Sequence, residues 1–277
     1  MRSPLRLFNA WIDHQRLADR RREVEWQLGV LFKQAVRLRL TLSGGGFDRI
    51  YLAHQVDAEN QVLACVRMNC PGCERAPDEP DLPRIALPGE YRIHREARAY
   101  RRLASLGVAP RLIARGEYFL ANHWLPWPRL SDVLRLQGDR LWDALPVVLD
   151  AIRTMHDNGV VHMDLNCGNV LVSPDFSAAV IIDFEFAPPR TMNEFDQQRF
   201  DYLRLAHNLL KPRRGRNAAF QDPARFVELF AQHVPETGVG IPAEFHAAWF
   251  ERVFENEVIS TGFREILGVR ASQWISL

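Results

Sequence analysis

The 277-residue sequence predicts an α+β fold in two parts, a strand-rich N-terminal part carrying one helix and a mainly helical C-terminal part. Three observations carry that expectation. Apolar and polar residues alternate in short runs between Val36 and Met68, the period of half-buried strands. A single stretch near 90–106 instead repeats its apolar residues at helical spacing. Past the stiff Pro126-Trp127-Pro128 connector the helical period dominates, with Leu141, Leu145, Val148, Ile152 and Met155 on one stripe.

Residues 8–32 read as a helix with Arg16, Arg20, Arg21 and Arg22 clustered on it. Residues 1–40 hold nine basic and four acidic groups. This basic extension, taken as 1–34, has two readings: a solvated helical face, or a peripheral contact with an anionic membrane. The first strand follows, where Val36, Leu38, Leu40 and Leu42 alternate with Arg37, Arg39 and Thr41. Ser43-Gly44-Gly45-Gly46 interrupts it, Ile50–Ala53 resumes as a second strand, and Gln61–Met68 forms a third. Residues 70–90, rich in Pro and Asp, read as a loop insertion. Within it Cys70-Pro-Gly-Cys73 has half the spacing of a zinc knuckle, and no second pair completes it. The alternative to a metal half-site is a turn with two reduced thiols.

The helix at 90–106 places Ile93, Ala97, Tyr100 and Leu103 on its apolar face, and Glu96 falls on the same face. A carboxylate pointing into an apolar face requires a cationic partner, because an unpaired buried charge is costly. Short strands fit 111–115 and 117–125, which sets the N-terminal part at 35–125 and the C-terminal part at 126–277. In the long helix that follows, Asp143 is the expected N-cap, Pro146 sits in the first turn, and Gly159 supplies the stop.

Composition bounds the function. With 47% hydrophobic and 25% charged residues the chain is globular, which excludes disorder, collagen and coiled coil. A net charge of +1 offers no global field for nucleic acid. No run of 18 apolar residues exists to span a bilayer as a helix, and MRSPLRLFNAWIDHQ lacks a signal-peptide core. Four cysteines are too few for a disulfide scaffold of this size, so the chain reads as cytoplasmic. Of the 35 basic residues 33 are arginine; Lys33 and Lys211 are the only lysines. Any mechanism that needs a lysine must use one of those two.

The chemistry concentrates after Gly159. Val161-His162-Met163-Asp164-Leu165-Asn166-Cys167-Gly168-Asn169 leads into an apolar hairpin that ends in Asp183-Phe184-Glu185-Phe186. With the glycine turn and the inward Glu96 upstream, this order and spacing resembles the protein-kinase-like phosphotransferase superfamily. The resemblance implies a two-lobed protein-kinase-like fold: a small antiparallel-sheet N-lobe with one inward-facing helix, and a helical C-lobe. It implies ATP and Mg²⁺, with Asn169 and Asp183 as the metal-holding oxygen donors and Asp164, Asn169 and Asp183 as the catalytic set. Asp164 would orient the acceptor hydroxyl and take its proton late, since a carboxylate is too weak a base to ionise an alcohol beforehand. His162 reads as a structural hydrogen-bonder of the loop.

On the N-terminal side, Gly44, Gly45 and Gly46 resemble the phosphate-covering loop, with Arg49 where a final glycine is usual. Ala64-Cys65-Val66-Arg67 aligns with the family's VAIK strand. Cys65 then falls where an alanine lines the adenine pocket, and Arg67 stands in the lysine position. Arg67 is accordingly the expected partner of Glu96.

Asn166 replaces the lysine usual in eukaryotic-type protein kinases, only 187–192 separate the acidic motif from the next helix, and there is no APE. In these features the chain is similar to bacterial lipopolysaccharide core (Kdo and heptose) kinases and their RIO-like relatives. That implies phosphorylation of a hydroxyl on a bacterial glycan, most plausibly a core sugar, with a sugar or glycolipid as partner. The alternatives are a RIO-like protein serine/threonine kinase and a pseudokinase that acts as a binding module, the latter motivated by Arg67. Four smaller questions stay open. Asp201 either braces the catalytic loop or is a surface carboxylate. Glu185 is a further metal or water ligand, or only polar. Lys211–Arg216 is a phosphate-seeking patch or a solvated run. Trp124 and Trp127 contact nucleotide or pack. Phe226, Phe230, Phe245, Trp249, Phe250 and Phe254 are assigned to packing faces.

Overall fold

In the computed structural model, residues 12–41, 48–58, 60–70, 83–211, 217–234 and 247–267 are described. Gly44, Gly45, Gly46, Cys73, the cations of 212–216 and Phe245 lie outside them. The chain forms two compact units: 1–80, 87–104 and 110–126 make one, and 81–86, 105–109 and 127–277 the other.

The first unit is built on β1 (Val36–Leu40), β2 (Asp48–Gln55), β3 (Val62–Asn69), β5 (Leu112–Arg115) and β6 (Phe119–Asn122). Their order is β1-β2-β3-β6-β5 with every pair antiparallel, so β3 is central. Alternation along β3 divides its side chains between two faces. Ala64, Val66 and Met68 join Leu38, Tyr51 and Ala53 in a core with Leu17, Val24 and Leu28. The last two belong to α1 (Ala18–Phe32), so the basic N-terminal helix packs its apolar stripe against this core. It also serves the sheet edge, where Glu25 accepts a hydrogen bond from the Leu38 N–H at 2.8 Å. Trp26, Val30 and Leu31 remain exposed on it.

Arg67, between Val66 and Met68, points away from that core. It meets α2 (Gly89–Leu103), which buries Ile93, Glu96, Ala97, Tyr100 and Leu103. Strand β6 differs from expectation. β6 ends at Asn122 rather than Leu125, and it starts at Phe119 because a tight turn joins the Gly116 N–H to the Phe119 carbonyl at 3.0 Å. Cys70 carries a disulfide, contrary to the reduced thiol expected of it.

The second unit holds α3 (Leu130–Leu136), α4 (Leu141–Asp157), the β7 (Val170–Val172)–β8 (Ala179–Ile181) hairpin and α5 (Glu194–Leu209). After these come α6 (Ala218–Gln221), α7 (Pro223–Ala231), α8 (Glu251–Phe254) and α9 (Glu257–Ile266). Of the phenylalanines assigned to packing, Phe226 and Phe230 of α7 meet Phe263 of α9, and Phe250 meets Phe200 of α5 edge-on. A two-stranded ladder pairs β4 (Ile85–Ala86) with β9 (Phe186–Ala187).

Helix α4 corrects one capping assignment. It begins at Leu141, whose side chain is buried, so Asp143 lies in the first turn and pairs with Arg140 at 2.9 Å rather than capping. Its far end is as expected. Gly159 takes φ +62°, and the N–H groups of Gly159 and Val160 bond back to the carbonyls of His156 and Met155 at 2.8 and 3.2 Å. That double closure is a Schellman motif, which needs the left-handed residue that glycine supplies. It delivers the chain straight into His162.

Candidate active site

The loop 161–169 is held from below by Asp201, which lies fully buried on α5. Its Oδ2 accepts from the His162 N–H at 2.8 Å, its Oδ1 from the Met163 N–H at 2.7 Å, and His156 Nε2 stands 3.1 Å from Oδ2. Of the two readings left open for Asp201, the brace is the one the geometry has. The grip explains how Met163 keeps φ +67°, a conformation that costs a non-glycine residue of order 1 kcal/mol. His162 is spent on structure. Its Nε2 stands 2.9 Å from the Ile182 carbonyl, and its Nδ1 accepts from the Asp164 N–H at 3.1 Å.

Asn166 and Asn169 then fold the loop around Asp164. Both side-chain amides donate to the Asp164 carbonyl, at 3.0 and 3.1 Å, and Asn166 Oδ1 accepts from the Gly168 N–H at 2.8 Å. Since Asn169 spends Nδ2 in this way, its Oδ1 is the atom left for a cation. The β7–β8 hairpin brings Asp183 next to it: Val170 pairs with Ile181, and the Ile182 N–H bonds to the Asn169 carbonyl at 3.0 Å. Asp183 has φ +75°, the second strained non-glycine backbone in the site, and its carbonyl accepts from the Glu185 N–H at 3.0 Å. The aromatic ring of Phe184, fully buried, lies 4.9 Å from that of His162.

The carboxylate of Asp164 is the meeting point of two arginines. Arg84 Nη1 donates to Oδ1, and Arg204 Nη2 on α5 reaches the same atom at 3.2 Å. Oδ2 lies 3.4 Å from Asn166 Nδ2. Neither arginine was singled out from sequence. Arg84 sits in a loop insertion with no periodicity, and Arg204 sits on a helix whose Asp201 drew the attention.

In the first unit, Arg67 pairs with Glu96 at 2.8 Å, and Tyr100 Oη also donates to Glu96. The structure adds Asp48, at the head of β2. It lies 3.8 Å from Arg67 and 2.8 Å from Arg92, and Arg92 in turn donates to the Leu87 carbonyl at 2.8 Å. All four side chains are buried, two cations against two carboxylates. Cys65, on the same strand face as Arg67, is a half-buried cysteine outside any disulfide, opposite Leu52 and Asn122. Among the residues assigned from sequence, then, Arg67 and Glu96 come together in this unit, and Asp164, Asn169 and Asp183 in the other.

Among the described residues no cluster of three or more His, Cys, Asp or Glu is placed to hold a metal. Asn169 and Asp183 nevertheless fit Mg²⁺, which takes hard oxygen donors and keeps water and phosphate oxygens in its remaining positions. A soft or structural metal would find no ligand set there.

Residues 138–229 match the model of the lipopolysaccharide kinase (Kdo/WaaP) family. The matched stretch contains the whole loop, hairpin and α5. Among solved structures, a mutant of the Mycobacterium tuberculosis PknI kinase domain aligns over 86% of this chain and 94% of that one, at 17% identity and a TM-score of 0.45.

Proposed function

We propose that this protein is a phosphotransferase that moves the terminal phosphoryl group of ATP to a hydroxyl of a bacterial glycan, most plausibly a core sugar of lipopolysaccharide. One observation carries the reading: a braced loop that aims Asp164 and Asn169, with Asp183 tied beside Asn169 by the hairpin. The match of residues 138–229 to the Kdo/WaaP family supports a kinase and a lipopolysaccharide acceptor. Phosphoryl transfer asks a protein mainly for positioning and for charge neutralisation, and this site is built of positioned polar groups.

In this reading Asn169 and Asp183 hold Mg²⁺, which when bound neutralises phosphate charge. Asp164 Oδ2 accepts the hydrogen bond of the acceptor hydroxyl, aligns its oxygen with the phosphorus, and receives the proton as the new P–O bond forms. As it forms, the terminal phosphorus parts from the bridging oxygen, which leaves with ADP. His162 and Asp201 act on the backbone and touch no reactant. Cys65, Arg67 and Glu96, with Gly44, Gly45 and Gly46, form the nucleotide-binding set on the N-terminal side. Arg67 answers Glu96 and Asp48 at once, and that engagement favours the second reading, a binding module without transfer. Among the described residues no helix is long and apolar enough to cross a membrane. ATP as donor fits a cytoplasmic protein.

The test is transfer from labelled ATP and Mg²⁺ to core oligosaccharide, to a protein mixture and to neither. Label in glycan that falls at least about 10²-fold in Asp164→Ala is the expected result. Label in protein alone selects the RIO-like reading. No transfer, with an ATP-induced thermal shift that survives in Asp164→Ala, selects the binding module.

A further inference from the structure

The insertion that separates β3 from α2 carries Arg84, and Arg84 reaches the centre of the site. It directly precedes β4, which pairs antiparallel with β9 through Ile85–Ala187 and Ala86–Phe186, at the end of the acidic motif. The guanidinium carbon lies 4.0 Å from the centroid of the Phe186 ring. With an aromatic face beneath it and a strand ladder beside it, the side chain has little freedom left. Its Nη1 donates to Asp164 Oδ1. The arginine is 9% and the aspartate 18% exposed, so this is no solvent-screened surface pair.

On the reading of Asp164 proposed above, we infer that Arg84 is a positioning residue for the transfer: it anchors Oδ1 so that Oδ2 faces the acceptor hydroxyl. The physical need is plain. The terminal torsion of an aspartate is broad and two-fold, so a carboxylate fixed at its backbone alone does not present one chosen oxygen. Arg84 and Arg204 converge on Oδ1 from different elements, and Oδ2 is left with the weaker Asn166 contact. A displacement of about 1 Å at such a group costs about 10²-fold in rate. The opposite role is a guanidinium that blocks Asp164 and must withdraw. It predicts the opposite sign.

The test uses the full chain with core oligosaccharide as acceptor, and hydrolysis of MgATP as a readout that needs no glycan. Arg84→Ala is expected to lower kcat by about 10–10²-fold with KM for ATP within about twofold, and Arg84→Lys to recover part of the loss. Because Arg84 works through Asp164, Arg84→Ala added to Asp164→Asn is expected to lower kcat no further. A merely structural role would not give that non-additivity. Unchanged or raised activity in Arg84→Ala, or a further loss in the Asp164→Asn background, overturns the inference. If Asp164→Asn is itself as active as the parent chain, or the parent turns over neither acceptor, the phosphotransferase reading falls instead.

Discussion

By the resemblance, Arg67 occupies a place where a lysine is usual, and it lies buried there beside two carboxylates. A planar fork can address two carboxylates from one position, whereas an ammonium is a single point of charge. Glu96 at 2.8 Å and Asp48 at 3.8 Å both face Arg67 Nη1, and Arg92 at 2.8 Å from Asp48 completes two cations against two anions. Arg67→Lys keeps the charge but replaces the guanidinium with a compact ammonium on a shorter stem, which weakens the buried contact with Glu96 while Asp48 keeps Arg92. We expect it to lower stability by about 1–2 kcal/mol in urea titration and to leave affinity for MgATP unchanged or weaker. A tenfold gain in affinity would show that the arginine is a defect in a lysine site. Glu96 and its partner were legible because a charge on an apolar helical stripe demands an explanation. Asp48 was not, since it follows a glycine turn where no periodic pattern marks a residue as buried.

At the scale of elements, the sequence was most readable where a repeat ran long. The strands of the first unit, the α2 stripe and the body of α4 follow from periods of two and 3.6, and tertiary packing moved only their ends. The short ladders were not readable: β4 and β9 are two residues each, with no room for a period. The strained backbone at Met163 was invisible for another reason, because what holds it is the distant Asp201. Close helix approach is a third kind of hidden feature. Gly262 on α9 faces Val227 on α7, and a methyl group added there would lie 2.2 Å from a Val227 methyl carbon and 3.0 Å from its Cβ. Gly262→Ala is therefore expected to destabilise the fold by about 1–3 kcal/mol despite the better helix propensity of alanine. Val227→Ala in the same chain should recover part of that loss, and purely additive effects in denaturant titration would count against the contact.

For the whole molecule, an excess of arginine over lysine means that positive charge persists at every working pH, and acid stability turns on the buried histidines near it. His207 on α5 is held well below its ordinary value, at about 4, by burial first and then by the neighbouring charges of Arg252, Arg204 and Lys211. Arg252 Nη1 stands 2.7 Å from His207 Nε2, a contact that requires the neutral ring as acceptor. His14 is lowered in the same direction, by burial and by Arg21. Between pH about 6.5 and 4 the unfolded chain therefore binds a proton at His207 that the folded chain refuses. Stability is complete above that window and falls as the solution is acidified through it. His207 alone accounts for about 2–3 kcal/mol by pH 4. Urea midpoints at pH 7.5 and 5 should thus differ in the parent chain and differ less in His207→Gln, which keeps an acceptor for Arg252 without the titration. An undiminished difference in that variant would assign the acid sensitivity to other groups.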